Sequence, residues 1–213
     1  MGRPKRSDEA GVIYHMLNRA NRRATIFHKD DDYEAFERIL ADALQRSPNL
    51  DLFSYCLMPN HWHLVVRPKK DGEMSRFAQW LGLTHTQRYN AHYHTTGEGH
   101  LYQGRYKSFP VQDDLHFLSV CRYVERNAFT AELCESAHEW KYGSLYRWRH
   151  GTAKEKSLLP PMAPTEARQC SSDGTATNSR SSNGRLLRCQ KETTLPKTRC
   201  QRQTKTSPTR TTS

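Results

Sequence analysis

The sequence has no apolar run near the roughly 20 residues that a membrane span requires. Its opening, MGRPKRSDEAG, carries basic residues but no apolar h-region, so neither a membrane span nor a secretory signal is expected. Cysteine is sparse and unpatterned. Cys56, Cys121, Cys134, Cys170, Cys189 and Cys200 form no CxxC pair and no regular framework, which argues against a zinc ribbon or a disulfide scaffold. A reduced, cytoplasmic protein is the expectation. Acidic residues are outnumbered, 22 Asp and Glu against 33 Lys and Arg, for a net charge of +11. Such an excess suits nucleic acid, and for a bacterial protein association with the nucleoid.

Aromatic residues are missing altogether beyond His150, where all four tryptophans and every Phe and Tyr have already occurred. From Gly151 to Ser213 there are 12 Lys and Arg against 4 Asp and Glu, so a net +8 of the excess charge lies in that stretch. Segments such as CSSDGTATNSRSSNGR bury too little apolar surface to offset their ordering entropy. The chain therefore reads as a basic N-terminal arm over residues 1–10, one folded domain over 11–150, and a low-complexity basic tail over 151–213, expected to be disordered. The tail's Ser, Thr, Arg, Gln and Cys composition is that of a frameshifted or decayed end.

Within 11–150 the hydrophobic periodicity alternates. GVIYHMLNR reads as a first strand. DDDYEAFERILADALQRS reads as an amphipathic helix, with Tyr33, Phe36, Ile39, Leu40 and Leu44 at helical spacing and Asp30 to Asp32 favouring its N-terminus. LDLFSYCLM and HWHLVVRP are strands joined by Pro59-Asn60. MSRFAQWLGLTHTQRYNAHYH is a second helix, with Phe77, Trp80, Leu81 and Thr84 on one side. GHLYQGRYKSFPV is a fourth strand, irregular at Gly104, and QDDLHFLSVCRYVERNAF a third helix. The order β-α-β-β-α-β-α gives an α+β class, a ferredoxin-like antiparallel sheet with helices on one face plus a further C-terminal helix.

The stretch MPNHWHLVV sets His61 and His63 two apart in a strand. Both imidazoles then leave the same face, about 6–7 Å apart along it, while Trp62 points into packing. Such a pair binds a metal ion or merely hydrogen-bonds at a sheet surface. His92 and His94 make a second HxH, but at a helix end, where i and i+2 do not face each other. His15, His85 and His100 are further candidates that no spacing selects. In CRYVERNAF, Tyr123 and Asn127 are four apart on a helix and share a face, a hydroxyl one turn from an amide oxygen.

VIYHMLNRANRR, YCLMPNHWHLVV, GHLYQGRYKSF and CRYVERNAF together resemble the successive blocks of the REP-associated tyrosine transposases, which are single-tyrosine HUH (histidine, bulky apolar, histidine) transposases similar to insertion-sequence transposases. The resemblance covers roughly residues 10–149. It implies His61 and His63 as metal ligands, Asn127 as the third ligand and Tyr123 as the nucleophile. It implies cleavage of single-stranded DNA at hairpin-forming repetitive extragenic palindromes through a 5′-phosphotyrosine, with no nucleotide cofactor. It also implies Mg²⁺ or Mn²⁺, although two imidazoles and an amide suit Zn, Ni or Fe equally by donor preference. A free tyrosine hydroxyl is a poor nucleophile at neutral pH, and a divalent ion on the phosphate offsets that weakness.

For DNA contacts the sequence offers Arg19, Arg22, Arg23, Lys69, Lys70, Arg105 and Lys107 as phosphate partners, and Tyr102 and Tyr106 as stacking platforms. GRPKR near the N-terminus resembles a minor-groove hook. Asn127-Ala128 replaces the Asn-Pro of many relatives, so the helix need not stop there. A monomer or a homodimer is expected. The alternatives are a non-catalytic hairpin-binding protein descended from such a transposase, and an HUH replication initiator or relaxase.

Overall fold

The computed structural model describes residues 7–156. GRPKR and the tail from residue 157 onward lie outside the described residues.

Four strands, β1 (Tyr14–Arg19), β2 (Leu50–Met58), β3 (His61–Pro68) and β4 (Lys107–Pro110), form an antiparallel sheet in the order β2-β3-β1-β4. Two long helices, α1 (Asp30–Arg46) and α2 (Glu73–Tyr93), follow β1 and β3. This is the split βαβ arrangement expected of the element order. Strand alternation divides the sheet into two faces. Tyr14, Met16, Leu52, Leu57, Trp62, Leu64 and Val66 join Phe36, Ile39, Met74, Phe77 and Leu81 from α1 and α2 in the main core. A second, smaller cluster lies on the opposite face, where Cys56, Met58 and Val65 meet Cys121 and Val124 of α3 (Asp114–Glu125) and Ala128 of α4 (Asn127–Thr130). The first two helices therefore share one face, and the third packs on the β2–β3 part of the other.

Local chemistry explains the boundaries. Asp32 accepts from the backbone N–H groups of His28 (2.7 Å) and Lys29 (3.1 Å), closing the start of α1. Asp8 caps α2 from 66 residues away, accepting from Met74 N and Ser75 N (2.8 Å), beside Gly72 at φ +76 where a side chain would be strained. Of the residues read as an arm, 7–10 are thus tied to the domain. Ser7 Oγ also lies 2.9 Å from the Tyr14 hydroxyl. Register shifts between Leu52 and Ser54, a bulge that puts Phe53 into the smaller cluster.

Two expectations need correction. The fourth strand is four residues long, and Tyr102 forms only an isolated bridge to Ala20. Three glycines in 97–104 leave the segment before it without a regular ladder. The third helix ends at Glu125, and Arg126 sits at φ −91, ψ 1 before α4 resumes at Asn127. The β2 edge is covered by the segment after α4. Cys56 bridges Gly143, Trp140 Nε1 donates to Leu57 O (2.9 Å), and Tyr55 N donates to Ser144 Oγ (3.1 Å). Arg147 of α5 (Ser144–His150) pairs with Glu37 of α1. Ala153–Lys156, in the stretch expected to be disordered, form a short helix, α6. Among the described residues no helix is long and apolar enough to cross a membrane.

Candidate active site

The β2–β3 hairpin tip is fixed before any side chain is considered. Pro59 O accepts from Ile26 N (2.8 Å) and Phe27 N (3.1 Å), and Asn60 O accepts from Ala20 N (2.9 Å). This sets His61 at the start of β3, opposite Arg19, with His63 opposite Leu17. His61 and His63 leave the sheet on the α3 face, their ring centroids 4.9 Å apart. Trp62, between them, is buried in the main core, where its indole N–H donates to the Tyr102 hydroxyl (3.0 Å).

A third histidine completes the cluster. His15, on β1, faces the same side. Its Nε2 lies 2.9 Å from His63 Nδ1, and the two rings stack at 5.1 Å. His61 Nδ1 lies 2.5 Å from Asn60 Oδ1, and Asn60 Nδ2 donates to Arg23 O (3.2 Å), which fixes the amide with its oxygen toward the ring. Nδ1 of His61 is therefore the donor, and its Nε2 carries a lone pair. His63 Nε2 is buried without a partner among the described residues. With Nδ1–H donating to His15, that nitrogen also carries a lone pair. The opposite tautomer would strand a buried N–H.

Burial pushes His61 down to about 4, with the Arg19 guanidinium adding to the effect. Burial likewise pushes His15 to about 4. His63 falls to about 2, through burial first and then His61, His15 and Arg19. All three rings are neutral at neutral pH, the state in which imidazole ligates a cation.

Tyr123 stands over this cluster. Cys121 and Val124 anchor α3 in the smaller core, while Tyr123 is 56% exposed. Its ring meets His15 (5.8 Å) and His63 (5.9 Å) edge to face. Asn127 opens α4, and its Nδ2 is buried with no partner among the described residues. Amide ends are interchangeable at a site of this kind, so an Oδ1 can occupy that position. No group of three or more His, Cys, Asp or Glu suited to a metal occurs among the described residues, so a metal here would need the Asn127 amide, water or substrate oxygens. Two imidazole lone pairs on one face suit such an ion, and the buried, unpartnered Asn127 amide is the candidate for a further donor.

Other sequence candidates scatter. Arg19 lies beside His61. Arg22 and Arg23 follow in an exposed turn with both residues at positive φ (53° and 58°), a strained conformation for non-glycine residues. Lys107 pairs with Leu17, which pairs with His63, so all three share a row and a face. Arg105 is exposed just before it. Lys69 and Lys70 leave β3 at the end opposite His61, and Lys69 is held by Asp51 (2.7 Å). Tyr102 and Tyr106 are each 8% exposed. Rings packed this deeply have no free face for a base, so the stacking expectation fails for both. His92 and His94 sit exposed at the end of α2, and His85 is buried against Tyr102 (2.6 Å) on the far side of the sheet. His15 and Asn60 went unselected in the sequence. The alternation of YHMLNR marks His15 as facing away from Tyr14 and Met16, but only strand pairing sets it beside His63.

The sheet order, the helix on its second face and the neutral histidine pair under an exposed tyrosine define a ferredoxin-like α+β domain with these side chains gathered on one face. A family described as Transposase IS200 like matches residues 9–127, more than half of the chain, and the chain belongs to that family. A solved structure described as a REP-associated tyrosine transposase bound to a REP hairpin covers 88% of this chain and 99% of its own, with a TM-score of 0.57 at 15% identity, a likeness of fold. A candidate transposase from Deinococcus radiodurans covers 58% of this chain and 97% of its own, with a TM-score of 0.42 at 18% identity. No curated protein matches the chain.

Proposed function

We propose that this transposase-family protein is a metal-dependent single-strand DNA endonuclease and strand transferase that acts on hairpin-forming DNA through a 5′-phosphotyrosine. The observation that carries the reading is Tyr123, exposed and in ring contact with both His15 and His63 above two imidazole lone pairs. His61, His63 and Asn127 would hold a divalent ion, Mg²⁺ or Mn²⁺. When bound, it polarises the scissile phosphate and offsets developing charge. Tyr123 Oη attacks phosphorus, the P–O3′ bond breaks, and the tyrosine proton passes to solvent while the departing oxygen becomes a 3′ hydroxyl. The bond energy is kept in the phosphotyrosine, so attack by a 3′ hydroxyl reverses the step without a nucleotide cofactor. Arg19 and Lys107 lie on the same face, and the exposed Arg22 and Arg23 follow in the turn after β1; all four suit phosphate contacts. The hairpin carried by the structurally similar REP transposase supports a hairpin substrate.

The test is incubation of the full chain with hairpin-bearing single-stranded DNA and Mg²⁺ or Mn²⁺. A covalent protein–DNA adduct is expected that survives denaturation and vanishes in Tyr123→Phe. Hairpin binding with no adduct in either metal would leave a non-catalytic hairpin-binding protein instead.

A further inference from the structure

We propose that Phe109 is a stacking subsite for the unpaired base next to the scissile phosphate. This inference rests on the strand-cleavage reading above. Phe109 lies on β4, paired with His15, so its ring projects on the same face as His15. The His15 ring lies 6.2 Å from Phe109 and 5.8 Å from Tyr123, so those two rings are at most about 12 Å apart. Phe109 is 52% exposed, a large apolar side chain left half open to solvent.

The surroundings indicate what would cover it. Helix α3 packs on β2 and β3, so that half of the face is roofed. Among the described residues the β1–β4 half beyond Tyr123 is left open, floored by Leu17 and Phe109 and bordered by the exposed Lys107. A polynucleotide whose phosphate sits under Tyr123 has its open path over this shelf. The base attached beside that phosphate then meets the Phe109 ring, while Lys107 meets the next phosphate. A benzyl ring has a π-face and no hydrogen-bonding group, so the subsite accepts any base and prefers none strongly. It assumes the role that the buried Tyr102 and Tyr106 cannot fill.

The test compares wild type, Phe109→Ala and Phe109→Trp, in EDTA so that binding is read without cleavage. The probes are short oligo(dT) and an abasic oligomer of equal length, which has the same phosphates and no bases. Wild type is expected to prefer oligo(dT), Phe109→Ala to lose that preference by about tenfold or more with abasic binding unchanged, and Phe109→Trp to retain it. A central 5-iodouracil is expected to crosslink to Phe109 on irradiation. Equal preference for oligo(dT) in wild type and Phe109→Ala, or a crosslink confined to other residues, would overturn the subsite and leave the cleavage reading standing. Failure of wild type to bind either oligomer would likewise overturn the subsite, the cleavage reading being tested separately by the adduct on hairpin-bearing DNA. Unchanged thermal unfolding confirms that the half-exposed side chain was removed without loss of fold.

Discussion

At the residue scale, the site depends on which ring nitrogen holds each proton. Asn60 settles His61, and His15 settles His63, so two residues outside the HxH motif prepare its lone pairs. Replacing His15 by Phe is expected to lower Mn²⁺ affinity about 10- to 100-fold, while His15→Gln, which keeps an acceptor near the Nε2 position, retains most of it. The direct check is ¹⁵N NMR of His63 in the metal-free protein. Wild type and His15→Gln should show the Nδ1–H tautomer, and His15→Phe a mixture. The sequence pointed to His61 and His63 because their spacing lies within one strand, where geometry follows from residue count, and to Tyr123 and Asn127 by a helical spacing that the break at Arg126 interrupts. His15, Asn60 and Phe109 were not legible as site residues, because their roles depend on strand register and on a hairpin tip. Tyr102 and Tyr106 misled for the same reason. An aromatic beside arginines looks like a nucleic-acid contact until the fold shows that its ring is buried.

At the element scale, α2 is locked to β3 by a buried chain. The Trp62 indole donates to Tyr102 Oη, which leaves the Tyr102 O–H to donate to His85 Nδ1 (2.6 Å). Burial pushes His85 from 6.5 to about 4, against a smaller opposing pull from Asp32. The unfolded chain therefore binds this proton first. The stability due to neutral His85 is complete above pH 6.5 and is lost as pH falls from 6.5 toward 4, by roughly 3 kcal/mol. Urea unfolding at pH 7 and pH 4.5 should show this loss in wild type and a smaller one in His85→Gln. Helix α3 starts at Asp113, which accepts from His116 N (2.7 Å). Asp113→Ala is expected to cost about 1 kcal/mol in the same measurement. Element positions were largely readable. β2 and β3 run between the expected residues because their apolar runs are bounded by Pro48-Asn49, Pro59-Asn60 and the charged KKDGE. The fourth strand was overread because aromatic and β-favouring residues continue through Leu101 to Tyr106, while the glycines and an edge position leave little backbone to pair.

At the scale of the whole molecule, the domain is a sheet with one face devoted to a core and the other divided between a helix and an open shelf. The cations near the shelf differ in kind from those at the far end of β3. Lys107→Ala should weaken hairpin binding and reduce the slope of log K against log salt by about one, whereas Lys69→Ala, whose ammonium already pairs with Asp51, should leave the slope nearly unchanged. All of this assumes that the open face joins DNA to protein. The most direct measurement is peptide mass spectrometry of the full chain after incubation with hairpin-bearing single-stranded DNA and Mn²⁺, followed by nuclease and protease digestion. A peptide carrying a 5′-nucleotide on Tyr123 is expected. A nucleotide on another residue, or none on any residue although the hairpin is bound, would contradict it.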